Sequence, residues 1–295
     1  MHGLSRRLLT SELKKIKWQR KLSVNAPLIK EEDCIIKSFL PEKTIPDMKL
    51  LDRVWMESAG FQKLVALECA ETMKSYTYEQ LRHKTAIFAT SLLKKFGLKQ
   101  GDVVAIMLPN CPEFVVTALG VIQAGCTMTT INPIYKEMEL THQLSLTRPK
   151  LIVTIPKCYD VILKAMQNAK LDMKIIIKDS LETPVPNNSV RFSEVAENGE
   201  IDQALLDRVE KPKLDDVAVI PFSSGTTGLA KGVEITYRNV LAAMEIMSEE
   251  RNCFPKLASD GFQDVVPCIL PFFHIYGLVI NLAGHLVKGC KLITM

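Results

Sequence analysis

The chain has 295 residues, of which 47% are hydrophobic and 24% charged, so it can bury the core of an ordinary globular protein. The net charge of +4 is modest, and no stripe of Arg and Lys with interleaved aromatic residues is visible, which excludes nucleic acid as the expected partner. The eight cysteines lack the spacing of a metal knuckle or a redox pair, which predicts buried free thiols in a reducing compartment.

Residues 1–25 form a basic extension. They contain seven Lys or Arg side chains and a single acid, Glu12, with apolar residues interspersed at roughly helical spacing. Mitochondrial presequences have this composition, and a solvated, frayed basic tail is the alternative interpretation. Residues 26–50, which include Pro41 and Pro46, are predicted to be a linker.

From Leu51 the patterns of strands and helices alternate. Thr77-Tyr78-Glu79-Gln80 resembles a capping box, which opens a helix that runs to Gly97. Apolar runs predict strands at Val103–Leu108, Thr127–Ile131, Leu151–Thr154 and Lys174–Ile177. Helices are predicted between them at Glu113–Ala124, Lys136–Thr147 and Asp160–Ala169. This alternation predicts βαβ units and an α/β fold, in which parallel sheets are covered by helices.

The second half continues this pattern after a predicted surface loop at Leu181–Ser189. Strands are predicted at Val217–Phe222, Val265–Leu270 and Cys290–Met295, and helices from near Thr236 and over Tyr276–Lys288. The longest apolar stretch, Ile269–Val287, is interrupted by Pro271, His274 and His285, so no transmembrane segment is expected. A strand inside a parallel sheet needs neighbours and a covering helix, and no residues follow the last strand, so we expect a truncated domain.

One loop carries the strongest chemical signal. It reads Ser223-Ser224-Gly225-Thr226-Thr227-Gly228-Leu229-Ala230-Lys231-Gly232. Glycines let backbone N–H groups approach an anion, hydroxyls donate to phosphate oxygens, and the lysine adds a positive charge. The spacing is neither that of a Walker A loop nor that of a dinucleotide fingerprint. The residues therefore predict a polyphosphate site, and the alternative is a flexible Gly/Ser/Thr-rich loop that binds no ligand.

The same loop resembles the signature of the adenylate-forming superfamily, which includes acyl-CoA synthetases, 4-coumarate–CoA ligases and beetle luciferases. Leu270-Pro271-Phe272-Phe273-His274-Ile275-Tyr276-Gly277 resembles the family's next motif. Leu108-Pro109-Asn110-Cys111-Pro112-Glu113-Phe114 and Asn132-Pro133 resemble the 4-coumarate–CoA ligase and luciferase branch. Two residues depart from the pattern: Ala230 stands where the family usually has proline, and Tyr237 where the branch often has histidine.

The resemblance implies an ATP-dependent acid–CoA ligase and the large N-terminal domain of such enzymes over 51–295. It implies ATP and a small carboxylic acid as ligands, with Mg²⁺ and CoA. The implied ATP-binding residues are Ser223, Ser224, Gly225, Thr226, Thr227, Gly228 and Lys231. His274 is the implied catalytic residue, and Thr226 is the implied ligand of Mg²⁺ through Mg-ATP. His83, His142 and His285 lack such a context and are interpreted as structural or exposed.

The resemblance also predicts what these residues do not contain. The family's adenine-binding segment, ribose-binding aspartate, hinge and mobile C-terminal domain with its catalytic lysine follow the histidine motif. We therefore expect an inactive, truncated form of a ligase. The alternatives are a non-catalytic ATP-binding fragment that associates with a full-length relative, and an unstable short product. The basic start suggests a mitochondrial location, with the peroxisome and the cytoplasm as alternatives.

Overall fold

The structure is a computed structural model, and it describes residues 42–179, 184–223, 229–248 and 255–295. In chain order, the strands are β1 Val65–Cys69, β2 Ser75–Thr77, β3 Val103–Met107, β4 Thr127–Thr130, β5 Leu151–Thr154, β6 Lys174–Ile177, β7 Val190–Arg191, β8 Val217–Ile220, β9 Phe222–Ser223, β10 Lys231–Gly232, β11 Ile235–Thr236, β12 Val265–Cys268 and β13 Lys291–Thr294. The α-helices are α1 Leu50–Trp55, α2 Tyr78–Lys94, α3 Pro112–Gln123, α4 Glu137–Thr147, α5 Tyr159–Ala169, α6 Phe192–Ala196, α7 Gln203–Asp207, α8 Tyr237–Ser248 and α9 His285–Val287.

Among the described strands, the larger sheet has seven, in the order β11-β8-β4-β3-β5-β6-β7. Of these seven, β11 runs antiparallel to its neighbour, and all other pairs are parallel. Side chains alternate along each strand: Val104 and Ile106 face one hydrophobic core, whereas Ala105 and Met107 face the other. The predicted α/β class with helix-covered parallel sheets is confirmed.

The smaller sheet has the order β12-β13-β1-β2, and its first three strands are parallel. The last strand of the chain, β13, lies between β12 and β1, and its Leu292 is fully buried. Its neighbours thus come from earlier in the chain, whereas the sequence argument for truncation assumes neighbours that follow it. Truncation of the domain stays a prediction.

Helices connect the two sheets and cover the larger one. Helices α4 and α5 bury Leu140, Leu144 and Ile162 against one face. On the other face, α3 contacts β3 and β4 and also β1 of the smaller sheet. The two sheets therefore share a core, which fixes the ends of β3, β4 and β8 relative to β12.

Several local predictions are confirmed, and others are corrected. The capping box at Thr77 forms in both directions, since Gln80 N donates to Thr77 Oγ1 and Thr77 N donates to Gln80 Oε1. The predicted strand Val217–Phe222 is split at Pro221, because proline cannot donate to a strand ladder. The helix predicted from Tyr276 begins as a π-helix, Tyr276–Gly284, and only its last turn, α9, is α-helical.

Among the described cysteines, the predicted burial of free thiols is confirmed, and the reducing compartment stays a prediction. Six are free and buried: Cys69, Cys111, Cys126, Cys158, Cys268 and Cys290. Burial raises the pKa of Cys126, Cys268 and Cys290 to about 12, which keeps these thiols protonated. Within the described ranges no helix has the length and hydrophobicity needed to cross a bilayer. Residues 1–25 lie outside these ranges, so mitochondrial targeting stays a prediction.

Candidate functional site at the carboxyl ends of the strands

Four segments singled out in the sequence lie at the carboxyl ends of strands. Pro109–Pro112 follows β3, Ile131–Pro133 follows β4, the Gly/Ser/Thr-rich loop follows β8, and Leu270–His274 follows β12. Ligands of open α/β folds bind at this edge, because the strand ends and the loops after them diverge there. The candidate site therefore lies where the topology favours it.

The described ends of the Gly/Ser/Thr-rich loop lie in two paired strands, β9 and β10, called the hairpin below. Strands β9 and β10 pair antiparallel, with Ser223 opposite Lys231 and Phe222 opposite Gly232. Below them, Val233 N donates to Pro221 O at 2.9 Å. The structure thus brings two of the predicted ligands, Ser223 and Lys231, directly opposite each other.

The remaining predicted loop ligands, Ser224, Gly225, Thr226, Thr227 and Gly228, lie outside the described residues. At the base of the hairpin, an added Cβ at Gly232 would lie 3.2 Å from the Phe222 ring and from Ile220 Cγ2. This close approach explains why glycine follows the lysine here.

Lys231 is exposed, and none of the ion pairs among the described residues involves it. An exposed ammonium group that no described carboxylate neutralises can bind an anion without first breaking an ion pair. The described residues contain no group of three or more His, Cys, Asp or Glu side chains that could hold a metal ion. The available donors are instead hydroxyl oxygens such as that of Ser223, which suit Mg²⁺ together with phosphate oxygens.

His274 is exposed and lies in the turn that leads into the π-helix. Its backbone N donates to Pro271 O at 3.1 Å, and its carbonyl accepts from Leu278 N at 2.9 Å. Nδ1 of the ring accepts from Tyr276 N at 3.3 Å. Since an accepting Nδ1 carries no proton, the neutral ring carries it on Nε2, which is then a donor for a ligand oxygen.

Asn110 fixes the segment before His274. Its side-chain amide donates to Cys268 O at 2.7 Å and to Leu270 O at 2.9 Å, and its Oδ1 accepts from Phe272 N at 2.7 Å. One side chain from the loop after β3 thus holds three backbone groups at the end of β12 and just after it. The sequence had included Asn110 in a family-like motif without giving it this role.

The end of β4 connects the hairpin with the histidine segment. Thr129 Oγ1 donates to Ile220 O at 2.8 Å, at the end of β8, and Thr130 Oγ1 donates to Phe273 O at 2.7 Å, one residue before His274. Gln143 of α4 is buried and donates from Nε2 to Thr129 Oγ1 and to Thr130 O, both at 3.0 Å. Two adjacent threonines therefore fix both segments to one strand.

A partly buried ion cluster supports the start of α3, directly after Asn110. The Glu113 carboxylate is buried and lies 2.8 Å from Lys74 Nζ and 3.9 Å from Lys178 Nζ. Lys74 also contacts Glu197 at 2.6 Å. Burial of Lys74 opposes its charge, but Glu113 and Glu197 outweigh this and raise its pKa above the ordinary value. The cluster is a structural support outside the candidate site.

Tyr237, the second departure from the family pattern, lies near the amino end of β8, away from the carboxyl ends of the strands. Its backbone N donates to Asp216 O at 3.0 Å, just before the first residue of β8. Its buried ring lines a cavity of about 190 Å³ together with Leu50 and Gln123. Burial raises the pKa of its hydroxyl above the ordinary value. The departure at Tyr237 therefore lies at the amino end of β8, whereas the hairpin follows the carboxyl end.

Comparison with known proteins agrees with the resemblance noted in the sequence. Residues 55–295 match the model of a family described as AMP-binding enzyme. The chain is 35% identical over 266 residues to 4-coumarate–CoA ligase 1 of Arabidopsis thaliana, a match that covers 89% of this chain and 46% of that protein. The chain thus spans about half the length of the curated relatives it matches.

Solved structures share the fold. The luciferase-like enzyme from the nonluminescent Zophobas morio mealworm has a TM-score of 0.71 at 22% identity, over 85% of this chain and 55% of that one. ATP-bound MatB from Rhodopseudomonas palustris has a TM-score of 0.68 at 22% identity, over 84% of this chain and 45% of that one. At this level of identity, the likeness shows the common architecture.

Proposed function

The chain belongs to the AMP-binding enzyme family, and on this premise we propose that it forms the ATP-binding part of an acid–CoA ligase. In the proposed reaction a carboxylate oxygen attacks the α-phosphorus of ATP, which gives an acyl-adenylate and releases pyrophosphate. The thiol of CoA then attacks the acyl carbonyl, a thioester forms, and AMP leaves. The observation that carries the proposal is the hairpin at the end of β8, where Lys231 lies exposed opposite Ser223.

Little covalent chemistry is needed from the protein in the first step, so positioning and charge neutralisation dominate. We assign the leaving β- and γ-phosphates to Lys231 and to the hydroxyls and amides of Ser223, Ser224, Gly225, Thr226, Thr227 and Gly228. Bound Mg²⁺ would neutralise phosphate charge, and the hydroxyl of Thr226 is its assigned protein ligand. The carboxylic acid, Mg²⁺ and CoA enter the proposal from the family alone.

His274 is assigned to the oxygen atoms of the acid or of the α-phosphate. Its Nδ1 accepts from Tyr276 N, which leaves the proton of the neutral ring on Nε2. An N–H donor stabilises negative charge as it builds up on oxygen, and it does so without transferring a proton. The contacts of Phe273 and Phe272 with Thr130 and Asn110 support this assignment, since they fix the backbone beside the ring.

The decisive test is the affinity for MgATP in titration calorimetry. Lys231→Ala should weaken binding by about 1.5–3 kcal/mol, the value of a hydrogen bond to a charged group. Lys164→Ala is the matched control, because Lys164 is also exposed but lies on α5. Equal affinities of the wild type and Lys231→Ala would contradict the role of this lysine.

We further propose that these 295 residues alone bind ATP without completing the reaction, since the 266 aligned residues cover 46% of the matched plant ligase. Acid-dependent exchange of pyrophosphate into ATP by the purified 295-residue chain would disprove this.

The alternative function is that of a non-catalytic partner of a full-length ligase. One observation favours it. Among the described strands, β12 pairs only with β13, and Val265 of β12 and Ile269 just after it are exposed. An open apolar strand edge can pair with another chain. Co-elution with a full-length ligase of the family in size-exclusion chromatography would support this function, and separate elution would reject it.

A further inference from the structure

His142 of α4 contacts β9 of the hairpin and the residue that precedes β10. Its Nε2 lies 2.8 Å from Ala230 O, next to Lys231. Its ring meets the ring of Phe222, next to Ser223, edge to face, with centroids 6.4 Å apart and an interplanar angle of 88°. A single half-buried side chain thus contacts the residue before Ser223 and the residue before Lys231, which lie opposite each other in the hairpin.

The hydrogen bond has a defined direction. A carbonyl oxygen can only accept, so Nε2 of His142 carries the proton and donates it to Ala230 O. The bond restrains the peptide plane between Ala230 and Lys231, and therefore the direction in which the backbone enters Lys231. Restraint of this kind lowers the entropy that a ligand must otherwise remove when it orders the lysine.

The helix that carries His142 is itself fixed to the site. The next residue, Gln143, is buried and binds Thr129 Oγ1 and Thr130 O at the end of β4. Those threonines bind Ile220 O and Phe273 O, which precede the hairpin and His274. His142 is therefore held in the same frame as both segments of the candidate site.

We propose that His142 is a positioning residue for Lys231: it holds the Ala230 carbonyl, so that the ammonium group is directed at the ATP phosphates before ATP arrives. This inference rests on the proposed function, in which Lys231 binds those phosphates. The competing view is that His142 only packs against Phe222. The two views differ in whether ATP binding depends on the N–H donor of His142 or on the packing of its ring.

Two substitutions separate the donor from the ring. His142→Phe keeps an aromatic ring against Phe222 but has no N–H, whereas His142→Gln keeps an N–H at similar reach but has no ring. In titration calorimetry with MgATP, His142→Phe should bind about threefold to tenfold more weakly, the effect of one lost hydrogen bond, and His142→Gln should restore most of the affinity. His83→Phe is the matched control and should bind like the wild type, because His83 is exposed on α2.

A second readout needs no ATP. Amide hydrogen exchange of the segment 229–236 should be faster in His142→Phe than in the wild type and in His142→Gln, while the melting temperatures stay equal. Unchanged exchange together with unchanged affinity in His142→Phe would overturn the proposal. Weak binding by His142→Gln beside normal binding by His142→Phe would overturn it in favour of packing.

The failure of the proposed function gives a different result. If Lys231→Ala binds ATP like the wild type, the assignment of the lysine is wrong, and the inference about His142 falls with it. If Lys231→Ala binds weakly and His142→Phe binds normally, only the inference about His142 is wrong.

Discussion

The two segments proposed to contact ATP are attached to the scaffold in different ways. The end of β12 and the histidine segment Leu270–His274 make three hydrogen bonds with Asn110 and accept one from Thr130, and the segment packs closely against the start of the π-helix. The hairpin has a two-residue ladder, the bond from Val233 N to Pro221 O and a side contact from His142, and Thr129 binds only Ile220 O before it. The comparison indicates that His274 is positioned by folding itself, whereas the position of Lys231 depends on a few replaceable contacts.

The largest expected effect is on the histidine segment, at Gly277. A Cβ there would lie 2.0 Å from Pro271 O and 2.6 Å from Pro271 C, which is backbone and cannot turn aside. We expect Gly277→Ala to lower the free energy of unfolding by about 3 kcal/mol, at the upper end for an overpacked site. Urea denaturation measures the change.

Gly60→Ala is the matched control for this substitution. An added Cβ at Gly60 meets nothing within 4 Å, so its cost should be within about 0.5 kcal/mol, as for an ordinary surface change. If both substitutions cost the same, close packing does not hold the histidine segment, and the contrast with the hairpin disappears.

A smaller effect is expected at Asn110. Asn110→Ala removes three hydrogen bonds at a half-buried position, which should cost about 2 kcal/mol of unfolding free energy because water replaces part of them. Asn110→Asp should do no better, since it keeps the acceptor for Phe272 N but turns oxygen toward Cys268 O and Leu270 O. Asn188→Ala, at an exposed loop position, is the control. Full stability of Asn110→Asp would show that the two donated bonds contribute nothing.

The sequence predicted the parts of the fold that depend on local patterns. Leu151–Thr154 and Lys174–Ile177 were predicted with their observed bounds, because a strand buried on both faces is a continuous apolar run. The capping box at Thr77 also depends on a local pattern, because its two partners, Thr77 and Gln80, are three residues apart. The short elements α6 and α7 have too few residues to show a period, and they were missed.

Contacts across the chain left no trace in the sequence. His142 lacks a motif context, and from the sequence it is interpreted as structural or exposed. Its partner, Ala230 O, is a backbone atom 88 residues away, and any residue type offers such a carbonyl. Thr130 and Asn110 likewise bind backbone atoms of distant segments. The loop motif identified the candidate ligands, whereas the residues that hold those ligands became visible only in the fold.

The smallest expected effect is a gain on the hairpin, at Ala230, where the family usually has proline. Proline at a compatible position removes conformational freedom worth about 0.4–1 kcal/mol, so Ala230→Pro should tighten ATP binding by about twofold to fivefold. The carbonyl that accepts from His142 remains. The gain should be larger in His142→Phe, where proline replaces a lost restraint, and absent in Lys231→Ala, where the lysine to be positioned is missing. Weaker ATP binding by Ala230→Pro at an unchanged melting temperature would show that the hairpin must stay adjustable, and that its few contacts are themselves a requirement for binding.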